Sequence, residues 1–122
     1  MLLGQKGEIL AAKYLRSNGW TILGHNIWQK FGELDLLARD VDGTLVVVEV
    51  KTMAAVHGGL QPEDNLTVGK LSRLTRMATM FINKHPELIN KRGWRIDLVA
   101  ISILTNEEKD YEIKHYRNIA TD

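Results

Sequence analysis

A chain of 122 residues with 44% hydrophobic and 25% charged side chains can bury a real core, and lacks the charge excess of a disordered segment; it reads as one domain, 1–122. The absence of cysteine excludes disulfides and thiolate chemistry, and no apolar run is long enough to span a membrane. A net charge of +1 excludes nothing by itself, because the two signs are unevenly distributed along the chain.

Met1 to Lys6 shows no basic leader ahead of an apolar run, so a cytoplasmic protein without membrane contact is expected. The first helix should run from about Leu3 to Asn18, with Gly19 as its stop. Glu8, Ala11, Ala12 and Leu15 recur at helical spacing, which puts a carboxylate on a packing stripe. Such a group wants a partner, and a basic residue nearby would serve as well as a metal. Trp20 to Trp28 reads as a strand with a bulge or bend at Gly24. Trp28, a large apolar residue at its end, suits packing.

Gly32–Arg39 and Thr44–Thr52 then read as two strands joined through Val41-Asp42-Gly43, with the glycine in the left-handed position of a three-residue loop. That loop sets Arg39 opposite Leu45, Leu37 opposite Val47, Asp35 opposite Glu49 and Glu33 opposite Lys51. Two opposed carboxylates repel unless a cation lies between them. Lys51 follows Glu49 by two, so strand period brings its ammonium to the same face. The trio suits a hard divalent ion and a water molecule; it equally suits a half-buried ion pair of Lys51 with one of the acids.

Residues 53–66 read as a loop, in which Gly58-Gly59 suggests mobility and His57 is a lone histidine. A second helix should run from Thr67, a good N-cap, to about Asn83, burying Leu71, Leu74, Met77 or Ala78, and Phe81. Residues 31–64 carry seven acids against Arg39 and Lys51, whereas residues 67–95 carry seven bases against Glu87. An acidic site beside a basic flank is what a metal-dependent enzyme acting on a polyanion needs, although ordinary helix solvation gives the same counts. Trp94 to Leu104 reads as a strand with Asp97 in a structural salt bridge to Arg95 or Lys91. A polar turn at 105–110 and an edge strand from Tyr111 to Tyr116 follow, with His115 facing outward.

Asp35 followed after a hairpin by Glu49-Val50-Lys51 resembles the signature of the PD-(D/E)XK nuclease superfamily, whose fold is called restriction-endonuclease-like. More narrowly, Gly7-Glu8, Asn26, Gly32-Glu33-Leu34-Asp35, Glu49-Val50-Lys51, Lys70 and Arg73-Leu74 resemble the YraN family of small bacterial proteins. The archaeal Holliday junction resolvases are more remotely similar. The resemblance implies an α/β fold, a mixed central sheet flanked by helices in the order α-β-β-β-α-β-β. It also implies a nuclease with Mg²⁺ or Mn²⁺ on Asp35, Glu49 and the Val50 carbonyl, and with Glu8 as an outer acid. Lys51 would orient the nucleophilic water, and Lys70 with Arg73 would hold phosphate. DNA, loosely of branched type, is the implied substrate ahead of RNA, and a symmetric homodimer would suit cutting two strands. Relatives commonly carry Arg at the position of Trp28 and near Met53, which implies that one phosphate contact is missing or exchanged for stacking on a base and that a second is lost. A nucleic-acid-binding module without turnover is the alternative, followed by a protein-interaction domain.

Overall fold

A computed structural model describes residues 2–54, 62–104 and 110–120 of the chain. The expected hairpin forms the middle of the fold. Strands β2 (Gly32–Arg39) and β3 (Leu45–Ala54) pair antiparallel, with Arg39 opposite Leu45 and Leu37 opposite Val47. The Asp40 N–H donates to the Thr44 carbonyl at 2.9 Å and the Gly43 N–H to the Asp40 carbonyl at 3.0 Å. Gly43 itself turns at φ +94°, a conformation that a side chain disfavours and that fixes this register.

Strand β1 (Thr21–Gln29) pairs antiparallel with β2, and its register shifts between Ile22 and Gly24, at the expected bulge. Trp20 lies just before the strand, buried in the core. Strand β4 (Trp94–Ile103) runs parallel to β3, and β5 (Tyr111–Tyr116) antiparallel to β4, giving a five-stranded mixed sheet in the order β1-β2-β3-β4-β5. The parallel pair needs a long crossover. Helix α2 (Val68–Lys84) supplies it, capped by the Thr67 hydroxyl, which accepts the Lys70 N–H at 3.2 Å. Of the stretch expected to be a loop, Met53 and Ala54 instead extend β3, because each finds a partner on β4. Pro62–Asn65 forms a short helical turn, and Pro86–Leu88 another. His57, Gly58-Gly59 and residues 105–109 lie outside the described residues.

A helix covers each face of the sheet. Helix α1 (Leu3–Ser17) sets Ala11, Ala12 and Leu15 against Leu36, Val46, Val48, Val50, Val99 and Ile101. Helix α2 sets Leu74, Met77, Ala78 and Phe81 against Leu34, Leu37, Val47 and Ile96 on the other face, with Leu71 only half-buried. Each aliphatic side chain so enclosed contributes about 1.5–3 kcal/mol. Helix α1 crosses β3 closely: a Cβ added at Gly7 would come within 1.7 Å of Thr52 Oγ1. The glycine before Glu8 is therefore what lets that end of the helix descend onto the strand. No helix among the described residues is long and apolar enough to cross a membrane.

Asp97 on β4 is wholly buried, yet every side of it is answered. Arg95 Nε donates to Oδ1 at 2.9 Å, His115 Nε2 lies 2.8 Å from Oδ2, and the Asn118 N–H donates to Oδ1 at 2.9 Å. Burial works against its charge, but the hydrogen bonds from His115, Arg95 and Asn118 outweigh it and hold the carboxyl below its usual range. The expected Arg95–Asp97 bridge is present. Arg95 continues to Asp40 at 2.6 Å, and Arg117 reaches the same carboxylate at 3.2 Å. His115, in contrast, does not face outward. Its side chain is 8% exposed, and it is drawn in between the Tyr14 hydroxyl, 3.0 Å away, and Asp97.

Candidate functional site

The expected ladder does not reach the carboxylates. Main-chain pairing of β2 with β3 closes at Leu36–Val48, so neither Asp35–Glu49 nor Glu33–Lys51 is a paired position. Beyond it, Asp35 Oδ2 accepts the Val50 N–H at 2.8 Å, and a side chain, not the main chain, ties the two strands together. The face alternation of β2 breaks at the same residue: Leu34 packs under α2, whereas Leu36, two positions on, packs under α1. This break places the Asp35 carboxyl between the layers, where groups from both faces can reach it.

From the α1 side comes Glu8. Glu8, Glu33 and Asp35 each turn one carboxylate oxygen toward a common point, with these atoms no more than 4.8 Å apart. Asn26, on β1, holds two of them: its Nδ2 donates to Glu8 Oε1 at 2.9 Å and Oε2 at 3.0 Å, and to Glu33 Oε1 at 3.0 Å. Asn26 does so from φ +49°, a left-handed conformation that asparagine tolerates better than most residues. From the α2 side come Glu49 and Lys51. The Lys51 ammonium stands 3.3 Å from Glu49 Oε1, and the Asp35 carboxyl lies close enough to that of Glu49 for the two to act on each other's charge.

The electrostatics follow from this crowding. Burial, then the neighbouring Glu49 charge, push the Asp35 carboxyl up to about 7, against the opposing pull of the Val50 amide and of Lys51. Glu8 is also raised, first by burial and then by the charges of Asp35 and Glu33, with the Asn26 hydrogen bond working the other way. Among the described residues, no Lys or Arg forms an ion pair with Glu8, Glu33 or Asp35. The donor set is all carboxylate oxygen, which suits Mg²⁺ or Mn²⁺ rather than a soft metal. Two oxygens on one Mg²⁺ stand at most about 4.2 Å apart, so the present spacing needs a small contraction or one water-bridged carboxylate. The residues fit a hard divalent ion.

Lys70 and Arg73 of α2 line an open groove of about 270 Å³ together with Glu33, Glu49 and Lys51. Their side chains thus border the acidic groups on the α2 face. Arg76 is solvent-facing, yet it lines an adjoining hollow with Phe31, Arg73 and Met77. Of the residues singled out in the sequence, Asp35, Glu49, Lys51 and Glu8 come together, and Val50 joins them through its amide. Glu33 and Asn26 were not given roles there. The available signal was the two-residue spacing of Glu33 and Asp35 on one strand, which is hidden when Glu33 is paired with Lys51.

Residues 7–101 match the uncharacterised protein family UPF0102. UPF0102 proteins of Roseiflexus castenholzii and Paenarthrobacter aurescens are 40% and 36% identical to the chain, covering 83% and 97% of it and 79% and 93% of their own lengths. A UPF0102 protein of Syntrophomonas wolfei is 36% identical over 95% of both chains. Among solved structures, a repair endonuclease from Pyrococcus abyssi is 20% identical with a TM-score of 0.48, over 87% of this chain and 39% of that one. A structure of an EndoMS–dsDNA2 complex is 18% identical with a TM-score of 0.45, over 75% of this chain and 34% of that one.

Proposed function

The chain belongs to the uncharacterised protein family UPF0102, and from that premise we propose that it is a cytoplasmic, divalent-metal-dependent nuclease hydrolysing phosphodiester bonds in DNA. The observation that carries this reading is the convergence of Glu8, Glu33, Asp35 and Glu49 with Lys51, in contact with a groove edged by Lys70 and Arg73. Four carboxylates with a single lysine among them are poor material for a fold and good material for holding a cation beside a polyanion.

Asp35, Glu49 and the Val50 carbonyl would hold Mg²⁺ or Mn²⁺, with Glu8 and Glu33 as further acids around it. The ion would supply Lewis-acid polarisation of a phosphate oxygen and a water of lowered pKa. Asn26 keeps Glu8 and Glu33 turned inward, so both already face the site before substrate arrives. Lys51, held 3.3 Å from Glu49, would orient the attacking water and face the charge that grows on phosphorus. Lys70 and Arg73 hold a neighbouring phosphate without reading sequence. Two cuts in concert would call for a symmetric dimer.

The test is cleavage of single-stranded, flapped and four-way DNA with Mg²⁺ or Mn²⁺, repeated on Asp35→Ala, Glu49→Ala and Lys51→Ala. The reading expects a product with the native protein that each variant loses. Salt-dependent retention of DNA without any cleavage would instead make it a binding module.

A further inference from the structure

The tip of the β1–β2 hairpin carries two large aromatic side chains that the core does not use. Trp28 is 80% exposed and Phe31 is 55% exposed. Neither stands apart from the acidic groups. Trp28 lies opposite Glu33 in the β1–β2 register, and so is the cross-strand neighbour of one of the clustered carboxylates. Phe31 lines the groove that holds Glu33, Glu49, Lys51, Lys70 and Arg73, and also the adjoining hollow of about 250 Å³ with Arg73 and Arg76. The Lys30 ammonium stands 5.5 Å from the centre of the Phe31 ring.

Exposed aromatics alone would suit any apolar surface. Here Lys30, Lys70, Arg73 and Arg76 surround Phe31, while Trp28 sits across the strand pair from Glu33, and that combination favours a polyanion whose units also present flat π-faces. Inside a continuous duplex the bases stack on one another, so a protein ring gains stacking only where a base is unpaired. We propose that Trp28 and Phe31 form a base-stacking element, so that the site takes DNA with at least one unpaired base beside the phosphate held by Lys70 and Arg73. This rests on the nucleic-acid reading of the site, and it adds a preference that the phosphate contacts alone would not create.

Metal-free protein is titrated with one end-labelled DNA sequence, once as a single strand and once as a blunt duplex, following anisotropy and tryptophan fluorescence. Trp28→Ala and Phe31→Ala should each weaken single-strand binding by about tenfold, and Trp28→Phe by much less, because a ring is kept. Duplex binding should change by no more than about twofold in all three, as expected for exposed substitutions outside the contact. Native tryptophan fluorescence should be quenched by the single strand and not by the duplex. Equal losses on both DNA forms, or no loss on the single strand, would overturn the stacking element while leaving the nuclease reading intact. If the native protein retains neither form, and Lys70→Ala changes nothing, the nucleic-acid reading fails and this inference with it. Loss of a native dimer in the alanine variants, with DNA binding unchanged, would show instead a surface for a second copy of the chain.

Discussion

Asp97 and Asp35 are both carboxylates enclosed by the same sheet, and their surroundings are opposite. Asp97 meets a guanidinium, an imidazole and a main-chain amide, and its carboxyl is held below the usual range. Asp35 meets one amide, the more distant pull of Lys51 and otherwise other acids, and is pushed up to about 7. Burial opposes the charge of both, so it does not set the direction of either shift by itself. What distinguishes a fold-holding charge from a ligand-seeking one is whether the protein itself supplies the opposite charge. The pH dependences must have opposite signs. Asp97 adds stability that is full above about pH 4 and is lost as pH falls toward its depressed folded value. Asp35 keeps in the folded state a proton that the unfolded chain gives up near pH 4, so its contribution falls as pH rises from there to about 7.

The largest effect should come from breaking the satisfied cluster. Asp97→Ala leaves Arg95 and His115 facing each other without their shared acid, and should cost about 3–5 kcal/mol in urea unfolding. A loss under about 1 kcal/mol would mean that the cluster does not hold the fold. Next comes the close crossing that delivers Glu8. Gly7→Ala puts a carbon into the space of Thr52 Oγ1 and should cost about 1–3 kcal/mol, part of it recovered by adding Thr52→Ala. Manganese affinity, read by calorimetry, should drop with it, since α1 must lift away from the strand; an unchanged affinity would detach Glu8 from the site.

Asp35→Asn should move stability the other way. In metal-free protein at pH 8 it removes a charge that burial and Glu49 oppose, and should raise stability by about 1–2 kcal/mol. The gain should vanish at pH 4, where the native carboxyl is protonated. In the native protein the melting temperature should rise on adding Mn²⁺, more at pH 8 than at pH 6, and the variant should lose that response. A native protein indifferent to Mn²⁺ at both values would leave the acidic cluster without its occupant.

Much of this contrast was legible in the sequence, for definite reasons. Gly43 dictated the loop, the loop dictated the register, and the register brought Asp35 and Glu49 to the same end of the hairpin. Gly24 marked the bulge, and the helical stripes marked both helices. Strand period failed where the strand stops behaving as one. It carried the ladder past Leu36–Val48, because nothing in the residue types announces that the Asp35 side chain will take the Val50 amide. The same assumption gave Glu33 to Lys51, and so concealed its place beside Glu8 and Asn26. His115 was misjudged because its neighbours on the edge strand are charged, whereas its partners, Tyr14 and Asp97, lie far off in the sequence.

The smallest effect concerns Lys70 and Arg73, and it bears on what the acidic cluster is for. Neither residue packs into the core, so Lys70→Ala and Arg73→Ala should leave stability within about 0.5 kcal/mol. If each neutralises one phosphate, each substitution should weaken binding to all DNA sequences alike and reduce the slope of log affinity against log salt by about one. The acids across the groove would themselves repel the same phosphates, so added Mn²⁺ should tighten binding in both variants as it does in the native protein. A salt slope that stays constant through both substitutions would move the polyanion off this groove, and would separate the acidic cluster from the basic flank that makes it look like a nuclease.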